Sequence, residues 1–143
     1  MKNSSRRIAQ LLTLVAAVLA CTAVAVAAPA GGTYKGKIEY QGYDVKFKVS
    51  KGKVKKFSAR MLTSCSGETS FETFTIAPEG SFAIKGSKVD GKVVETVGKT
   101  KATVILKGAF SGSKFKGYVR EYDFVAGSGI VCDTLKRKFT AKK

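Results

Sequence analysis

The chain has no histidine, no tryptophan and only two prolines, and no asparagine follows Asn3. Without histidine it has no Ser-His-Asp or Cys-His nucleophile pair and no histidine-bearing metal site. The missing tryptophan removes a tryptophan-cage ligand site, and two prolines are too few for a proline-rich segment. Glycine is plentiful, but its 15 copies keep no triplet period, so the chain is not collagen-like. The missing asparagine leaves no N-glycosylation acceptor after residue 3. Acidic residues are scarce: 10 Asp and Glu stand against 26 Lys and Arg, giving a formal charge of +16 in 143 residues. The sequence also holds no glycine-rich phosphate loop, calcium-binding loop or metal-ligand cluster, so neither a cofactor nor a metal is expected. That length provides one small domain.

What is present begins with a leader. Lys2, Arg6 and Arg7 precede an apolar run from Ile8 to Ala28, interrupted by Gln10, Thr13 and Thr22. This is the pattern of a secretory signal peptide, with Ala25-Val26-Ala27 as the small-x-small cleavage site. The expected organisation is a signal peptide over 1–27, a flexible mature N-terminus over 28–32, and a single domain over 33–143. A retained anchor is the alternative, but the alanine-rich second half inserts weakly, so no mature transmembrane span is expected. Val18-Leu19-Ala20-Cys21 loosely resembles a lipobox, which makes lipidation at Cys21 a minor alternative. The expected location is secreted or in the cell envelope.

Removing the leader leaves two cysteines, Cys65 and Cys132. In an exported chain such an isolated pair is expected to form a disulfide. Closing so long a loop stabilises by about 4 kcal/mol in the chain-entropy model.

After Gly32 apolar and basic residues alternate with period two, which predicts strands. In Tyr43-Asp44-Val45-Lys46-Phe47-Lys48-Val49 the apolar residues share one face and the charged ones the other. Tyr34, Gly36, Ile38 and Tyr40 oppose Lys35, Lys37 and Glu39 in the same way. Turn signals recur about every ten residues, among them Gln41-Gly42, Ser50-Lys51-Gly52-Lys53, Lys85-Gly86-Ser87, Asp90-Gly91, Val97-Gly98-Lys99, Ser111-Gly112-Ser113 and Gly127-Ser128-Gly129. The resulting fold is all-β and antiparallel, with about eight or nine short strands in a β-sandwich or small β-barrel. Strands are predicted near 33–40, 43–50, 53–61, 71–76, 81–85, 88–95, 101–110, 114–125 and 131–140. Val54 and Phe57 share a face only if an extra residue is inserted near Lys55-Lys56, which predicts a β-bulge. Residues 63–70 read as a loop.

The mature chain resembles small exported β-rich proteins of actinobacterial type in Gly32-Thr33-Tyr34-Lys35-Gly36, in the stretch from Phe47 to Phe57, and in Phe110-Ser111-Gly112-Ser113-Lys114. The resemblance implies export and a β fold. No activity is established for that type, so it transfers no functional residue.

Candidate sites come from charge, aromatics and carboxylates. Without the leader, 23 basic residues stand against 10 acidic ones, a net +13. Attraction to anionic cell-wall polymers or polysaccharides follows. Only Arg60, Arg120 and Arg137 are arginines, so the bidentate recognition typical of specific nucleic-acid binding is not expected. The named clusters are Lys51, Lys53, Lys55 and Lys56, and Lys136, Arg137 and Lys138 with Lys142 and Lys143. The preferred reading is a solvated face with diffuse affinity, and a dedicated polyanion site is the alternative. Tyr118, Arg120 and Tyr122 share one strand face, as a stacking platform or as core. Glu121 and Asp123 lie two apart on one strand, and Glu68 and Glu72 flank a loop. A carboxylate-pair enzyme acting on an extracellular polymer is the catalytic alternative, although strand carboxylates are ordinarily just solvated. The favoured expectation is a monomeric, non-catalytic envelope or extracellular module.

Overall fold

The computed structural model describes residues 28–67 and 71–143. The leader over 1–27, its cleavage site, Cys21 and Glu68 lie outside the described residues. Ten strands follow in order: β1 Gly32–Ile38, β2 Asp44–Ser50, β3 Lys53–Cys65, β4 Glu72–Ile76, β5 Phe82–Lys85, β6 Lys88–Val97, β7 Thr100–Ser111, β8 Lys114–Val125, β9 Val131–Asp133 and β10 Arg137–Lys142. All pair antiparallel in one sheet.

The sheet closes on itself. β1 pairs with both β2 and β10, and β10 pairs in turn with β8, so the path β1-β2-β3-β5-β6-β7-β8-β10 returns to its start. Closure of this kind is the connectivity of a barrel rather than of two stacked sheets, and it leaves few free edges. β4 pairs with the upper part of β3, and β9 bridges β8 to the end of β3. Among the described residues no helix is long and apolar enough to cross a membrane.

Alternation decides which side chains enter the barrel. Val45, Phe47 and Val49 of β2 are buried while Asp44, Lys46 and Lys48 are exposed. Phe47 sits at the centre, its ring stacked on Tyr34 with centroids 5.2 Å apart and met edge-on by Phe115 at 5.5 Å and Phe139 at 6.5 Å. Phe57 and Phe110 pack on it as well. Room for so many rings comes from inward-facing glycines that alternate with large residues. Gly36 stands between Tyr34 and Ile38, and a Cβ there would lie 2.0 Å from the Thr140 carbonyl oxygen. Gly108 and Gly117 oppose each other across β7 and β8, with the Phe115 ring against both.

The expected bulge is present. Lys46 pairs with Ser58 but Lys48 with Lys55, and Lys56 adopts φ 49°. One extra residue lets Val54 and Phe57 both point inward. It also marks where β3 exchanges one neighbour for another, since Lys53 and Val54 pair with β5 while Ala59 to Thr63 pair with β4.

Three local expectations are corrected. The last strand, expected over 131–140, splits at Thr134–Lys136 and raises the count to ten. Leu135 there is left-handed at φ 58°, its amide donating to Asp133 Oδ1 at 2.7 Å. Residues 63–65 are not loop but the end of β3, where Ser64 and Cys65 pair with Asp133 and Cys132. Asp90-Gly91 is not a turn: Gly91 lies within β6 opposite Leu106, and its missing side chain admits Phe82, whose Cδ1 would be 3.0 Å from a Cβ.

Adding one methyl at Gly108 tests this packing. That carbon would fall 2.4 Å from the Lys116 carbonyl oxygen and 2.5 Å from Phe115 Cζ. Gly108→Ala is expected to destabilise by about 2 kcal/mol, read as a lowered Tm in thermal unfolding. An unchanged Tm would show that the β7–β8 seam can spread.

Candidate functional site

Closure fixes the register of the outward-facing side chains, and on one wall it aligns lysines. Lys114 of β8 pairs with Lys142 of β10, Lys142 with Lys35 of β1, and Lys35 with Lys46 of β2. Four lysines thus form a row perpendicular to the strands. With strands about 4.8 Å apart, the row spans about 15 Å between its end backbones. Lys142, Lys35 and Lys46 are exposed and Lys114 is half-buried. The flanking rows add Lys48 opposite Lys55, and Lys116 and Lys37 on either side of Thr140. Lys37 is neutralised by Asp44 at 2.7 Å, and Lys107 on the far wall by Asp90 at 2.9 Å. The row itself contains no acid.

Of the basic clusters named from sequence, Lys51, Lys53, Lys55 and Lys56 all lie on the β2–β3 hairpin, whereas the C-terminal set is divided along β10. Lys51 lies in the β2–β3 turn at φ 50°, Lys53 at the start of β3, and Lys56 at the bulge. Lys142 and Lys143 share that end of the barrel, where the Lys143 amide donates to the Ser113 carbonyl at 3.0 Å. Lys136, Arg137 and Lys138 lie further up the wall, beside Tyr118. Lys138 pairs with Tyr118, and Lys136 Nζ sits 5.4 Å from the centre of the Tyr118 ring. A shallow groove of about 320 Å³ runs past Glu39, Lys116, Tyr118 and Lys138. A second, of about 270 Å³, is lined by Tyr40, Gln41 and Lys136–Lys138.

Tyr118, Arg120 and Tyr122 are half-buried on the outer face of β8 and take no part in the core. Their surfaces are already used. Arg120 makes a two-pronged pair with Asp133, Nε to Oδ1 at 3.0 Å and Nη2 to Oδ2 at 2.5 Å, while its guanidinium stands 5.5 Å from the Tyr122 ring centre. The hydrogen bond from Arg120 holds the Asp133 carboxyl below its usual range. Asp133 also accepts from the Leu135 amide, so this pair fixes the corner between β9 and β10.

The carboxylates of β8 differ most from expectation. Glu121 and Asp123 are not solvated; they occupy the inner face, and Glu121 is only 7% exposed. Register places Asp123 opposite Ala102 and Ala102 opposite Glu95, which brings three acids onto one inner patch. Burial, reinforced by the charges of Asp123 and Glu95, pushes the Glu121 carboxyl up to about 8. Asp123 is raised by burial as well. Alternation alone could have suggested this, because Glu121 is in phase with Phe115 and Val119. Glu95 in addition accepts from the Glu79 amide at 2.6 Å and the Gly80 amide at 3.3 Å, holding the β4–β5 linker against β6.

Cys65 and Cys132 form the expected disulfide, which joins the end of β3 to β9 and is compatible with an extracytoplasmic location. Among the described residues no group of three or more His, Cys, Asp or Glu side chains is placed to hold a metal ion. Comparison with protein-family models, with curated proteins and with solved structures finds no match.

The buried acid gives the fold a pH dependence whose sign follows from its direction. Glu121 keeps its proton in the folded chain up to about pH 8 but loses it near 4.5 when unfolded. The folded state therefore binds more protons between those values, and stability falls as pH rises through them, by an amount on the order of 4 kcal/mol. Chemical unfolding from pH 5 to pH 8.5 should show this decline. Glu121→Gln should flatten it and exceed the parent in stability at the alkaline end. A parent curve that rises instead across this range would place Glu121 in a hydrated setting.

Proposed function

We propose that the protein is an exported, non-catalytic module that binds anionic wall polymers or polysaccharides, and that the wall built from β8, β10, β1 and β2 is its contact surface. The observation that carries this is the continuous row Lys114–Lys142–Lys35–Lys46. Like charges directly opposite one another on neighbouring strands destabilise a sheet. Four in succession without an acid among them therefore work against stability unless an anion is bound.

The chemistry of the row indicates the class of ligand. Ammonium groups are point charges without the planar fork of arginine, so they suit closely spaced phosphates, sulfates or carboxylates more than one specific anion. A polymer laid across the strands meets a charge at each strand spacing, and its release of counterions makes affinity fall steeply with salt. A non-catalytic role accords with the placing of Glu121 and Asp123 on the packed interior, away from the grooves on the outer wall. The disulfide supports an extracytoplasmic setting.

Two quadruple variants test the wall. Changing Lys35, Lys46, Lys114 and Lys142 to Gln should weaken binding to a polyol-phosphate wall polymer at least about tenfold near 0.15 M salt, while raising Tm in low salt. Changing Lys51, Lys53, Lys55 and Lys56 to Gln should weaken it far less. Equal losses in the two variants would mean that net charge, not the row, attracts the polymer.

A further inference from the structure

The barrel has two unlike ends. At the end holding the β2–β3, β5–β6 and β7–β8 turns, the connecting residues are Lys51-Gly52, Gly86-Ser87 and Gly112-Ser113, and the chain finishes there in Lys142-Lys143. The opposite end carries the exposed large apolar side chains. Val97 is 76% exposed at the tip of the β6–β7 hairpin, Phe71 66% beside β4, and Leu135 58% at the β9–β10 corner; Tyr40 in the β1–β2 turn is completely exposed. Phe124 and Ile130 are exposed there too.

Hydrogen bonds and one groove link the set from Val97 to Leu135 into a rim, while Tyr40 lies lower on the wall beside Lys138. The Ala126 amide donates to the Lys99 carbonyl at 2.9 Å, which ties the β8–β9 turn to the β6–β7 turn. The Ser66 amide donates to the Val131 carbonyl at 2.8 Å, bringing the chain just after β3 alongside. Phe71 and Leu135 border one shallow groove with Ser66 and Arg137. Two of the apolar residues are held out in an unfavourable backbone: Tyr40 has φ 63° and Leu135 φ 58°, a region that bulky side chains avoid. Such strain persists only where the surrounding structure imposes it.

We propose that this rim docks on the surface of an anionic lipid bilayer, its apolar side chains entering the interface while Lys99, Lys101, Lys136 and Lys138 meet the headgroups. Charge complementarity selects this occupant. Each of those four lysines is exposed and lies within a few residues of Val97 or Leu135, so apolar tips alternate with ammonium groups set just behind them. Asp133 is already paired with Arg120 and Glu95 with backbone amides, leaving Glu39, Glu72 and Glu79 as the exposed acids near these lysines among the described residues. A second copy meeting the same rim would set these lysines against their own kind. Docking by this end leaves the lysine row on the side wall open to a polymer.

Among the described residues every strand of the closed sheet lies after Ala28, and the proposed export leaves the chain from there onward, so that is the form to test. It should co-sediment with vesicles of equal parts phosphatidylcholine and phosphatidylglycerol near 0.15 M salt, and much less with phosphatidylcholine alone. Val97→Asp combined with Leu135→Asp should lower that binding about tenfold or more. Folding is not at stake, since both sites are exposed and aspartate tolerates the left-handed backbone at 135 better than leucine does. Tm should hold or rise while vesicle binding is lost, and polymer binding should be kept. The quadruple row variant should show the converse, losing polymer while keeping most vesicle binding. Undiminished vesicle binding by the rim variant would overturn the proposal, because charge alone would then hold the bilayer. So would a dimer without lipid in analytical ultracentrifugation that the rim variant abolishes.

Discussion

The aromatic cluster around Phe47 is the constraint on which the rest of the structure depends. Five rings reach it from β1, β3, β7, β8 and β10, and they do so only because Gly36, Gly108 and Gly117 leave the inner face open where a ring must pass. Glycine opposite glycine is a fixed point in the register: sliding β8 along β7 by one residue would put a side chain where the Phe115 ring now lies. A one-residue slip would also turn every lysine of that strand inward. The interior thus determines the exterior, and the lysine row follows from packing on the other side of the same strands.

The two halves of the barrel are held by different means. Around Phe47 the interior is aromatic and aliphatic, and burial of apolar surface suffices. Higher up, the inner face presents Glu121, Asp123, Thr63 and Glu95, which contribute little of that kind and leave the Glu121 and Asp123 carboxyls and the Thr63 hydroxyl each with a buried oxygen that has no hydrogen-bond partner. Covalent and ionic links are concentrated here. The disulfide joins β3 to β9, and the Arg120–Asp133 pair secures the corner beyond it. The cross-links stand where the core is thinnest.

How much of this was legible in the sequence follows the reach of each signal. Alternation is local, so the strands, the bulge at Lys56 and the outward direction of the lysines could all be read from neighbouring residues. Cysteine parity sufficed for the disulfide. Register is not local: Lys35 and Lys114 look like scattered charges until Lys142 is found between them. For the carboxylates of β8 phase outweighs residue type, since Glu121 follows Phe115 and Val119 at even spacing on the inner face. The split after Asp133 rests on an ion pair with Arg120 and a left-handed leucine, neither of which has a composition signature. The contrast between the two ends was present in the sequence, in turns such as Ser111-Gly112-Ser113 and Val97-Gly98-Lys99, but sorting turns by end requires the strand order.

A consequence joins packing to binding. Because the aromatic interior forbids register slip, the lysines of the row cannot move apart along their strands. Their repulsion can be relieved only by side-chain splaying, by salt, or by a bound anion. Splaying is open to the ends of the row, where Lys46 faces Ser58 and Lys114 faces Ser111, but Lys35 and Lys142 have a lysine on either side. Diffuse salt screens exposed charges over about 8 Å at physiological strength, a distance longer than the spacing between strands, so neighbouring ammonium groups still feel one another. A polyanion in contact removes that repulsion where it arises. It binds the folded wall, whereas the unfolded chain has no such array, so by linkage the same event that occupies the row also stabilises the barrel.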